Sequence, residues 1–338
     1  MFKSILHAPY SISNKEGVHK MIVYSIILLA LSLFLIMLVS DRVIRYVLVI
    51  SNVLGLSEMA AGFIFLSVIT SLPELSVSTV ASLAGEGGLS VGNVLGSNVA
   101  NLTIILGLAI LFSRKEITIK GQSQKELVQF LFISSIIPLF IFQRGSLGPV
   151  LGIVLLTLFA YFGVTVSHKT GETTVTETPL DQKTGNVIFV GTKFLVGVVA
   201  IILLSKVSVD SAIEIASFVG LPPSIIGATI IGLGTSLPEL ATTIQALKQG
   251  LHSMALGNLL GSCITNITLI LGVSSLLSFS EVDVVAVQSI MFYVLVASLS
   301  VWYIVGASER LTKKSAIFLC LIYGAFILQQ VGISFFIF

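Results

Sequence analysis

Charged residues are scarce in this chain. Asp, Glu, Lys and Arg together make up 10% of its 338 residues, whereas apolar residues make up 55%. A soluble domain carries roughly 25% charged residues, because its surface must be hydrated. So few charges exclude an ordinary soluble, secreted or disordered protein, and they indicate a chain whose solvent is mostly lipid.

Residues that bind soft metals or form disulfides are also few. The chain has two cysteines, Cys263 and Cys320, both in apolar stretches, and four histidines without the spacing of a metal site. A disulfide framework or a thiolate or imidazole site is therefore not expected. The net charge of +2 and the lack of a basic cluster exclude a nucleic-acid binder. The sequence has no arrangement of residues typical of a catalytic site, so we do not expect an enzyme. We also expect neither a resident cofactor nor an obligatory protein partner.

Long apolar runs are abundant, and we expect an all-α membrane protein with ten transmembrane helices. A span needs about 20 apolar residues. The predicted spans are 21–40, 43–84, 89–112, 125–143, 147–167, 187–205, 210–247, 251–278, 283–305 and 314–336. The second and seventh are too long for one straight helix and contain Gly and Pro, so we interpret them as broken helices with a lead-in segment. Irregular backbone is tolerated in a membrane only where it is buried or lines a cavity, so these breaks indicate a binding site.

The distribution of basic residues predicts the orientation of the chain. With ten spans, 13 of the 18 Lys and Arg residues fall on one side of the membrane, which should be the cytoplasmic side. Both termini are then extracellular in a multi-pass protein of the cell membrane. We divide the chain into a first half at 1–167, a cytoplasmic linker at 168–186 and a second half at 187–338.

Two segments of the chain repeat each other. TSLPEL occurs at 70–75 and at 235–240, and GNVLGSN at 92–98 resembles GNLLGSC at 257–263. The residue numbers of each matched pair differ by 165, about half the chain. Each half holds five predicted spans, and an odd number reverses orientation, so we expect two inverted-topology five-helix repeats with broken helices at the midplane. Such repeats are typical of secondary transporters, whose site lies where the interruptions meet.

Glu74 and Glu239 are the chemically decisive residues of the repeat. Each lies in the middle of a span whose central portion has no Lys or Arg. A carboxylate in that position is costly unless it is paired or solvated, so the expected partner is a bound cation or a proton. The alternative is a protonated Glu that hydrogen-bonds a neighbouring helix.

Neutral oxygen donors accompany both carboxylates. Pro73 and Pro238 each remove a backbone N–H and kink the helix, which loosens the carbonyls of Thr70 and Thr235. In the next span of each half a Ser and an Asn stand four residues apart, on one helix face, either as ligands or as interhelical hydrogen-bond partners. These residues are Ser97, Asn101, Ser262 and Asn266. Such hard oxygens suit Ca²⁺ or Na⁺ and not soft metals. Close helix approach, or simple packing, is expected at Gly92, Gly96, Gly257 and Gly261.

The TSLPEL and GN-x-LGS-x-x-x-N elements resemble the two alpha repeats of the calcium/cation antiporter superfamily, in particular its sodium/calcium exchanger branch. The resemblance implies two inverted five-helix halves, a central cluster of ion sites and exchange of Na⁺ for Ca²⁺. By position, it makes Glu74 and Glu239 the calcium carboxylates, completed by the carbonyls of Thr70 and Thr235. It assigns the flanking sodium sites to Ser71, Ser97, Asn101, Ser236 and Ser262. Asn266 takes a position where many exchangers carry an Asp, which leaves the site one titratable group short.

The expected mechanism is competition, in which Na⁺ displaces Ca²⁺ from overlapping oxygens. Sliding of the first and sixth spans would open the site to alternate sides, and the small residues Gly191 and Gly197 either permit this sliding or only pack. We favour Na⁺ because the Gly-Asn that the proton-coupled branch tends to place before the first glutamate is absent. A Ca²⁺/H⁺ antiporter on the same fold is the alternative, and K⁺ as a co-substrate stays open. The inverted repeat disfavours a cation channel.

Overall fold

The computed structural model describes residues 15–53, 67–113, 117–118, 122–142, 148–169, 187–248, 252–278, 282–308 and 310–332. We refer to the described residues up to 169 as the first half and to those from 187 as the second half. The first half consists of α1 (Lys15–Val53), α2 (Ser67–Thr70), α3 (Leu72–Leu83), α4 (Gly87–Ala100), a π-helical segment π1 (Asn101–Ile105), α5 (Leu106–Phe112), β1 (Ile117–Thr118), α6 (Gln122–Phe142) and α7 (Pro149–Lys169).

The second half consists of α8 (Val187–Val219), α9 (Pro223–Ile226), π2 (Gly227–Ile231), α10 (Gly232–Thr235), α11 (Leu237–Lys248), α12 (His252–Thr265), π3 (Asn266–Ile270), α13 (Leu271–Leu277), α14 (Val284–Ser308), β2 (Arg310–Leu311) and α15 (Lys313–Gln330). The helix bounds repeat at the same interval as the sequence. Each of α3, α4, π1 and α5 begins and ends 165 residues before α11, α12, π3 and α13, respectively. The sequence repeat is therefore also a repeat of local structure.

Several described helices suit a lipid environment. Six stretches are long and apolar enough to cross a membrane by length and composition, namely Lys20–Ser40, Gly87–Phe112, Phe189–Val219, Pro223–Lys248, Ala255–Leu277 and Val284–Gly306. Pro149–Thr165 is a shorter apolar helix. Large apolar side chains such as Tyr24, Val150, Leu203 and Val285 are exposed on the outside of the helices, where only lipid would be a favourable solvent. The chain is a helical membrane protein.

Two predicted boundaries are wrong. The second span was expected to begin at residue 43, but α1 continues without a break to Val53. In the same way, residues 210–219 belong to α8 and not to the seventh span. Hydropathy reports only the part of a helix that lies in lipid, whereas backbone hydrogen bonds continue past charged residues such as Arg42. The 39 residues of α1 extend about 58 Å, roughly twice the thickness of the hydrocarbon layer. The remaining lead-in, 54–66, and most of the linker, 170–186, lie outside the described residues.

Both TSLPEL segments interrupt a helix, as their prolines predict. α2 ends at Thr70 and α3 begins at Leu72, and the residue between them, Ser71, has φ −85° and ψ 12°. The equivalent Ser236, between α10 and α11, has φ −84° and ψ 5°. These angles lie in the sparsely populated bridge region that many active-site residues occupy. The breaks place the first turns of α3 and α11 inside the protein.

Three π-helical segments share one side-chain device. In each segment the third residue is a threonine whose hydroxyl donates to the backbone carbonyl four residues earlier, and these residues are Thr103, Thr229 and Thr268. A π-helix displaces the regular hydrogen-bond ladder and is frequent at functional sites. The hydroxyl satisfies a carbonyl next to the displaced ladder. Hydropathy carries no information on the register of backbone hydrogen bonds, so these segments could not be predicted from the sequence.

The apolar side chains form two separate clusters. α1 packs along α8, and their buried residues form one cluster together with parts of α3 and α9. The other cluster joins α4 to α7 with α12 to α15. The two-stranded sheet is antiparallel, with Ile117 opposite Leu311 and Thr118 opposite Arg310. This pairing joins a connection of the first half to a connection of the second half.

Candidate ion site

Two carboxylates meet where the halves come together. Glu74 and Glu239 lie in the first turns of α3 and α11, and both side chains are completely buried. Ser236 Oγ donates to Glu74 Oε1 at 3.0 Å, and Ser71 Oγ donates to Glu239 Oε1 at 3.4 Å. These two hydrogen bonds are equivalent in the repeat, and each crosses from one half to the other. Among the described residues, Oε2, the second oxygen of each carboxylate, has no hydrogen-bond partner, so it is available to a ligand.

The charge of these carboxylates is only partly compensated by the protein. Both lie near helix N-termini, where the macrodipole places roughly half a positive charge. Among the described residues, no Lys or Arg forms an ion pair with Glu74 or Glu239, and the ion pair between Lys206 and Asp210 lies on the exposed surface of α8. A buried carboxylate without a counter-charge is strongly unfavourable. The pair therefore requires a bound cation or protons.

Hydroxyl groups from both halves surround the carboxylates. Thr70 Oγ1, at the end of α2, lies 3.1 Å from Ser262 Oγ on α12. The equivalent contact joins Thr235 Oγ1, at the end of α10, to Ser97 Oγ on α4 at 3.4 Å. All four side chains are completely buried. The predicted Thr and Ser residues thus come together in two equivalent pairs. Each pair has one residue from the first half and one from the second half.

Two asparagines of this site were missed by the sequence analysis. Asn93 accepts a hydrogen bond from Thr235 Oγ1 at 3.2 Å and donates to the backbone oxygen of Glu74 at 3.2 Å. It therefore ties the helix of one carboxylate to the TSLPEL threonine of the other half. Asn258, its equivalent, accepts from Thr70 Oγ1 at 3.3 Å. Both follow a glycine in the repeated GN dipeptide, and this repetition of a buried polar residue was the signal that could have identified them.

The amides that open π1 and π3 are held differently. Asn266 donates through Nδ2 to Asn98 Oδ1 at 3.0 Å, and its Oδ1 has no partner. Asn98 in turn donates through Nδ2 to the backbone oxygen of Cys263 at 3.0 Å. In the described part of the chain, neither polar atom of the Asn101 amide has a partner with hydrogen-bond geometry, although the thiol of Cys263 lies beside it. Both halves therefore present unpartnered amide oxygens, but only Asn266 is held in orientation by a side chain.

Glycines allow α4 to contact the broken helix of the second half through backbone atoms. A Cβ atom added at Gly92 would lie 2.1 Å from the backbone oxygen of Ser224, and one at Gly96 would lie 2.1 Å from that of Ala228. The predicted close approach is therefore present at these two positions. At Gly257, by contrast, an added Cβ meets no atom of the described residues within 4 Å. Since α4 also carries Ser97, this contact fixes the distance between that residue and Thr235.

Comparison with known proteins identifies the family. The family model described as sodium/calcium exchanger protein matches residues 24–167 and 191–332, which is most of both halves. The chain belongs to this family. The inner membrane protein YrbG of Escherichia coli is 30% identical to the exchanger-family chain over 267 residues, which are 77% of this chain and 82% of YrbG. The sodium/calcium exchanger MaX1 of Methanosarcina acetivorans is 28% identical across 91% of this chain and 98% of MaX1.

A solved structure of the sodium-calcium exchanger NCX_Mj has the same fold as this exchanger-family chain. Its TM-score is 0.62 at 25% identity, and the match covers 93% of this chain and all of NCX_Mj.

All ten predicted site residues of this chain are completely buried, and they lie where α2, α3, α4 and π1 meet α10, α11, α12 and π3. They are Thr70, Ser71, Glu74, Ser97, Asn101, Thr235, Ser236, Glu239, Ser262 and Asn266. Their role in binding ions stays a prediction.

Proposed function

We propose that this chain is a secondary antiporter that exchanges Na⁺ for Ca²⁺ by alternating access and normally extrudes Ca²⁺. The observation that carries the proposal is the pair of buried carboxylates, Glu74 and Glu239, each with one oxygen free of hydrogen bonds. Ca²⁺ takes about 6–8 oxygen ligands, and its charge would balance both carboxylates. The names of the relatives MaX1 and NCX_Mj support Na⁺ and Ca²⁺ as the transported ions.

The ligands divide between the two ions by charge. Ca²⁺ would bind between Glu74 and Glu239, with the backbone carbonyls of Thr70 and Thr235 as neutral ligands. Na⁺ ions would bind flanking positions and compete for the same carboxylates. The proposed sodium ligands are the side chains of Ser71, Ser97, Asn101, Ser236 and Ser262, and Asn266 supplies a further neutral oxygen. The ions are substrates, and no resident cofactor is proposed.

Coupling follows from the electrostatics of burial. Without a cation the site holds two uncompensated carboxylates in a medium of low dielectric, which opposes the conformational change. Loading with Ca²⁺ or with Na⁺ removes this cost. α1 packs along α8, and both meet the rest of the protein through apolar side chains such as Val77 and Leu89, which supports a mechanism in which these two helices slide over an apolar surface. The exchanger would then cross only when it is loaded, which prevents leak.

The proposed membrane arrangement is two inverted five-helix repeats, ten spans in all, in the cell membrane with both termini extracellular. The pairing of β1 with β2 supports one part of this arrangement. Both strands lie in connections that the charge distribution assigns to the cytoplasmic side, and paired strands must lie on the same side. The repeat of helix bounds at an interval of 165 residues supports two halves of one design.

Ca²⁺/H⁺ antiport is the second candidate function. Protons would satisfy the same electrostatic requirement as Na⁺, because each binds a carboxylate and removes its charge. The observation that favours this candidate is Asn266, an amide where many exchangers carry an Asp. K⁺ as a co-substrate stays a third possibility for the flanking sites.

The decisive test is uptake of radioactive Ca²⁺ into proteoliposomes at clamped pH. Vesicles loaded with Na⁺ are diluted into Na⁺-free buffer and compared with vesicles loaded with choline. We expect uptake only with internal Na⁺, and we expect Glu74→Gln and Glu239→Gln each to reduce it at least about 100-fold, since each removes a charge that the buried ion requires.

The matched control is Asp210→Asn, the same carboxylate-to-amide change at a half-exposed position of α8. It should leave uptake within about twofold of wild type, because exposed ion pairs contribute little. Uptake that ignores Na⁺ and follows an imposed pH gradient would replace Na⁺ by H⁺ in the proposal. Uptake in both glutamate variants equal to wild type would refute the site itself.

A further inference from the structure

The hydrogen bonds of Asn98 give this residue a function that the exchange reaction alone does not assign. We propose that Asn98 is a positioning residue that orients the amide of Asn266, so that only the oxygen of Asn266 faces the cation. This inference rests on the proposed function of the site. It predicts that Asn98 determines cation affinity without being a ligand.

The orientation of Asn98 is set by a group that can only accept hydrogen bonds. The backbone oxygen of Cys263 accepts from Asn98 Nδ2 at 3.0 Å. A carbonyl has no proton to donate, so the nitrogen of the Asn98 amide must face it and Oδ1 must point away. That oxygen meets Asn266 Nδ2 at 3.0 Å. The assignment of nitrogen and oxygen in both amides therefore follows from a single backbone carbonyl.

The orientation of Asn266 matters because an amide has two unlike ends. Its oxygen is a ligand for a hard cation, whereas its NH₂ group carries two donors and repels a cation. With Nδ2 bound to Asn98, the Oδ1 atom of Asn266 is the one that remains without a partner. The side chain is completely buried, so water does not compensate for a wrong orientation. Reversal would also place two oxygens against each other at Asn98.

The first half lacks this device at the equivalent position. The residue that corresponds to Asn98 in the repeat is Cys263, and the residue that corresponds to Asn266 is Asn101. Among the described residues, neither polar atom of the Asn101 amide has a partner with hydrogen-bond geometry, and Cys263 places only a thiol beside it, a far weaker partner than the amide oxygen of Asn98. Cys263→Ala is therefore a matched control for Asn98→Ala, at the same point of the other half and equally buried.

The test is a double-mutant cycle on cation binding, measured by calorimetric titration of purified protein in detergent with Ca²⁺ alone and with Na⁺ alone. Asn98→Ala should raise the dissociation constant about tenfold, the value of one buried hydrogen bond of about 1.4 kcal/mol. Asn98→Leu, which keeps the branched shape of the side chain and removes its polar atoms, should do the same. In an Asn266→Asp background both terminal atoms are oxygens, and one of them would face Asn98 Oδ1 without a proton between them. There the same changes remove no useful orientation, so they should cost less than about twofold or tighten binding.

The possible results distinguish a failure of the proposed function from a failure of the role given to Asn98. Wild type that binds neither Ca²⁺ nor Na⁺ would refute the proposed function, and the inference with it. Wild type that binds, with an equal penalty for Asn98→Leu in both backgrounds or with no penalty, would overturn the inference alone. A penalty for Cys263→Ala as large as that for Asn98→Ala would also overturn it, because loss of packing would then explain both. Melting temperatures identify any variant that fails to fold. If Asn98→Ala fails to fold, Asn98→Leu in the wild-type and Asn266→Asp backgrounds provides the test.

Discussion

In the second half the amide of Asn266 is held by Asn98, whereas in the first half the equivalent Asn101 has no partner on either polar atom. The residues themselves are the same at these positions, and so are the bounds of the helices that carry them. The difference arises from one substitution in the repeat, Asn98 against Cys263. Identical side chains at equivalent positions of a repeat are therefore not equally prepared for their proposed role as ligands, because their neighbours decide which atoms are free.

The helix contacts of the two halves differ as well, and Gly92→Ala should give the largest effect. An added Cβ would lie 2.1 Å from the backbone oxygen of Ser224 in α9, which cannot move aside as a side chain could. We expect the free energy of unfolding to fall by at least about 3 kcal/mol, the upper range for overpacking. This loss would be measured as a low yield and a lower melting temperature in detergent.

Gly257→Ala is the matched substitution on α12, where an added Cβ meets nothing within 4 Å. Alanine is favoured over glycine in a helix by about 1 kcal/mol, so this variant should melt at the wild-type temperature or slightly above. Equal destabilisation by both variants would mean that α12 also packs through its glycines and that the halves do not differ here.

The serines that bind the carboxylates should differ in the next largest effect. Ser236 donates to Glu74 at 3.0 Å, a normal distance, but Ser71 donates to Glu239 at 3.4 Å, which is long. Hydrogen bonds to charged groups contribute about 1.5–3 kcal/mol. Ser236→Ala should therefore raise the Ca²⁺ concentration for half-maximal uptake about tenfold, and Ser71→Ala only about threefold. Identical effects would show that both bonds become equal when the ion binds.

The two amides provide a smaller contrast. Asn266→Ala removes an oriented oxygen, whereas Asn101→Ala removes one that the ion itself must orient, and immobilising a side chain costs about 0.5–1.5 kcal/mol. We expect half-maximal Na⁺ concentrations to rise about tenfold for Asn266→Ala and about fourfold for Asn101→Ala, a ratio within this cost. The reverse order, measured by the Na⁺ dependence of Ca²⁺ uptake, would contradict the role given to orientation.

The contact between α1 and α8 should give the smallest effect. Here Ser32 and Ser208 share a hydrogen bond of 2.8 Å. The residues at their equivalent positions in the repeat, Gly197 and Val43, also pack against each other. A Cβ added at Gly197 would lie 2.4 Å from Val43 Cγ2. Gly197→Ala should slow turnover about threefold without changing half-maximal concentrations, since it obstructs sliding and not binding.

Two further variants decide whether the contact is responsible. Val43→Ala combined with Gly197→Ala should restore the rate, because the smaller side chain makes room for the added methyl group. Gly191→Ala, with nothing within 4 Å of the added Cβ, should have no effect. A rate that falls without recovery in the double variant would place the defect elsewhere than in the sliding surface.

The sequence predicts the repeated part of this molecule better than its margins. The breaks at Ser71 and Ser236 follow from proline chemistry, and the burial of the ten predicted site residues agrees with their positions in a repeat of 165 residues. The full lengths of α1 and α8 could not be predicted, because hydropathy ends where lipid ends. The roles of Asn93 and Asn98 depend on which atoms face them across the interface between halves, and no local pattern contains that information.

The bonds from Ser236 to Glu74 and from Ser71 to Glu239 have a consequence for the origin of the protein. Each half supplies a carboxylate but depends on the other half for the hydroxyl that binds it, so a single half could not complete the site. An ancestor of half the length would have needed a second copy of itself to bind an ion. In such a dimer the two amides would have been identical, and a difference such as Asn98 against Cys263 could arise only after the two copies were encoded separately.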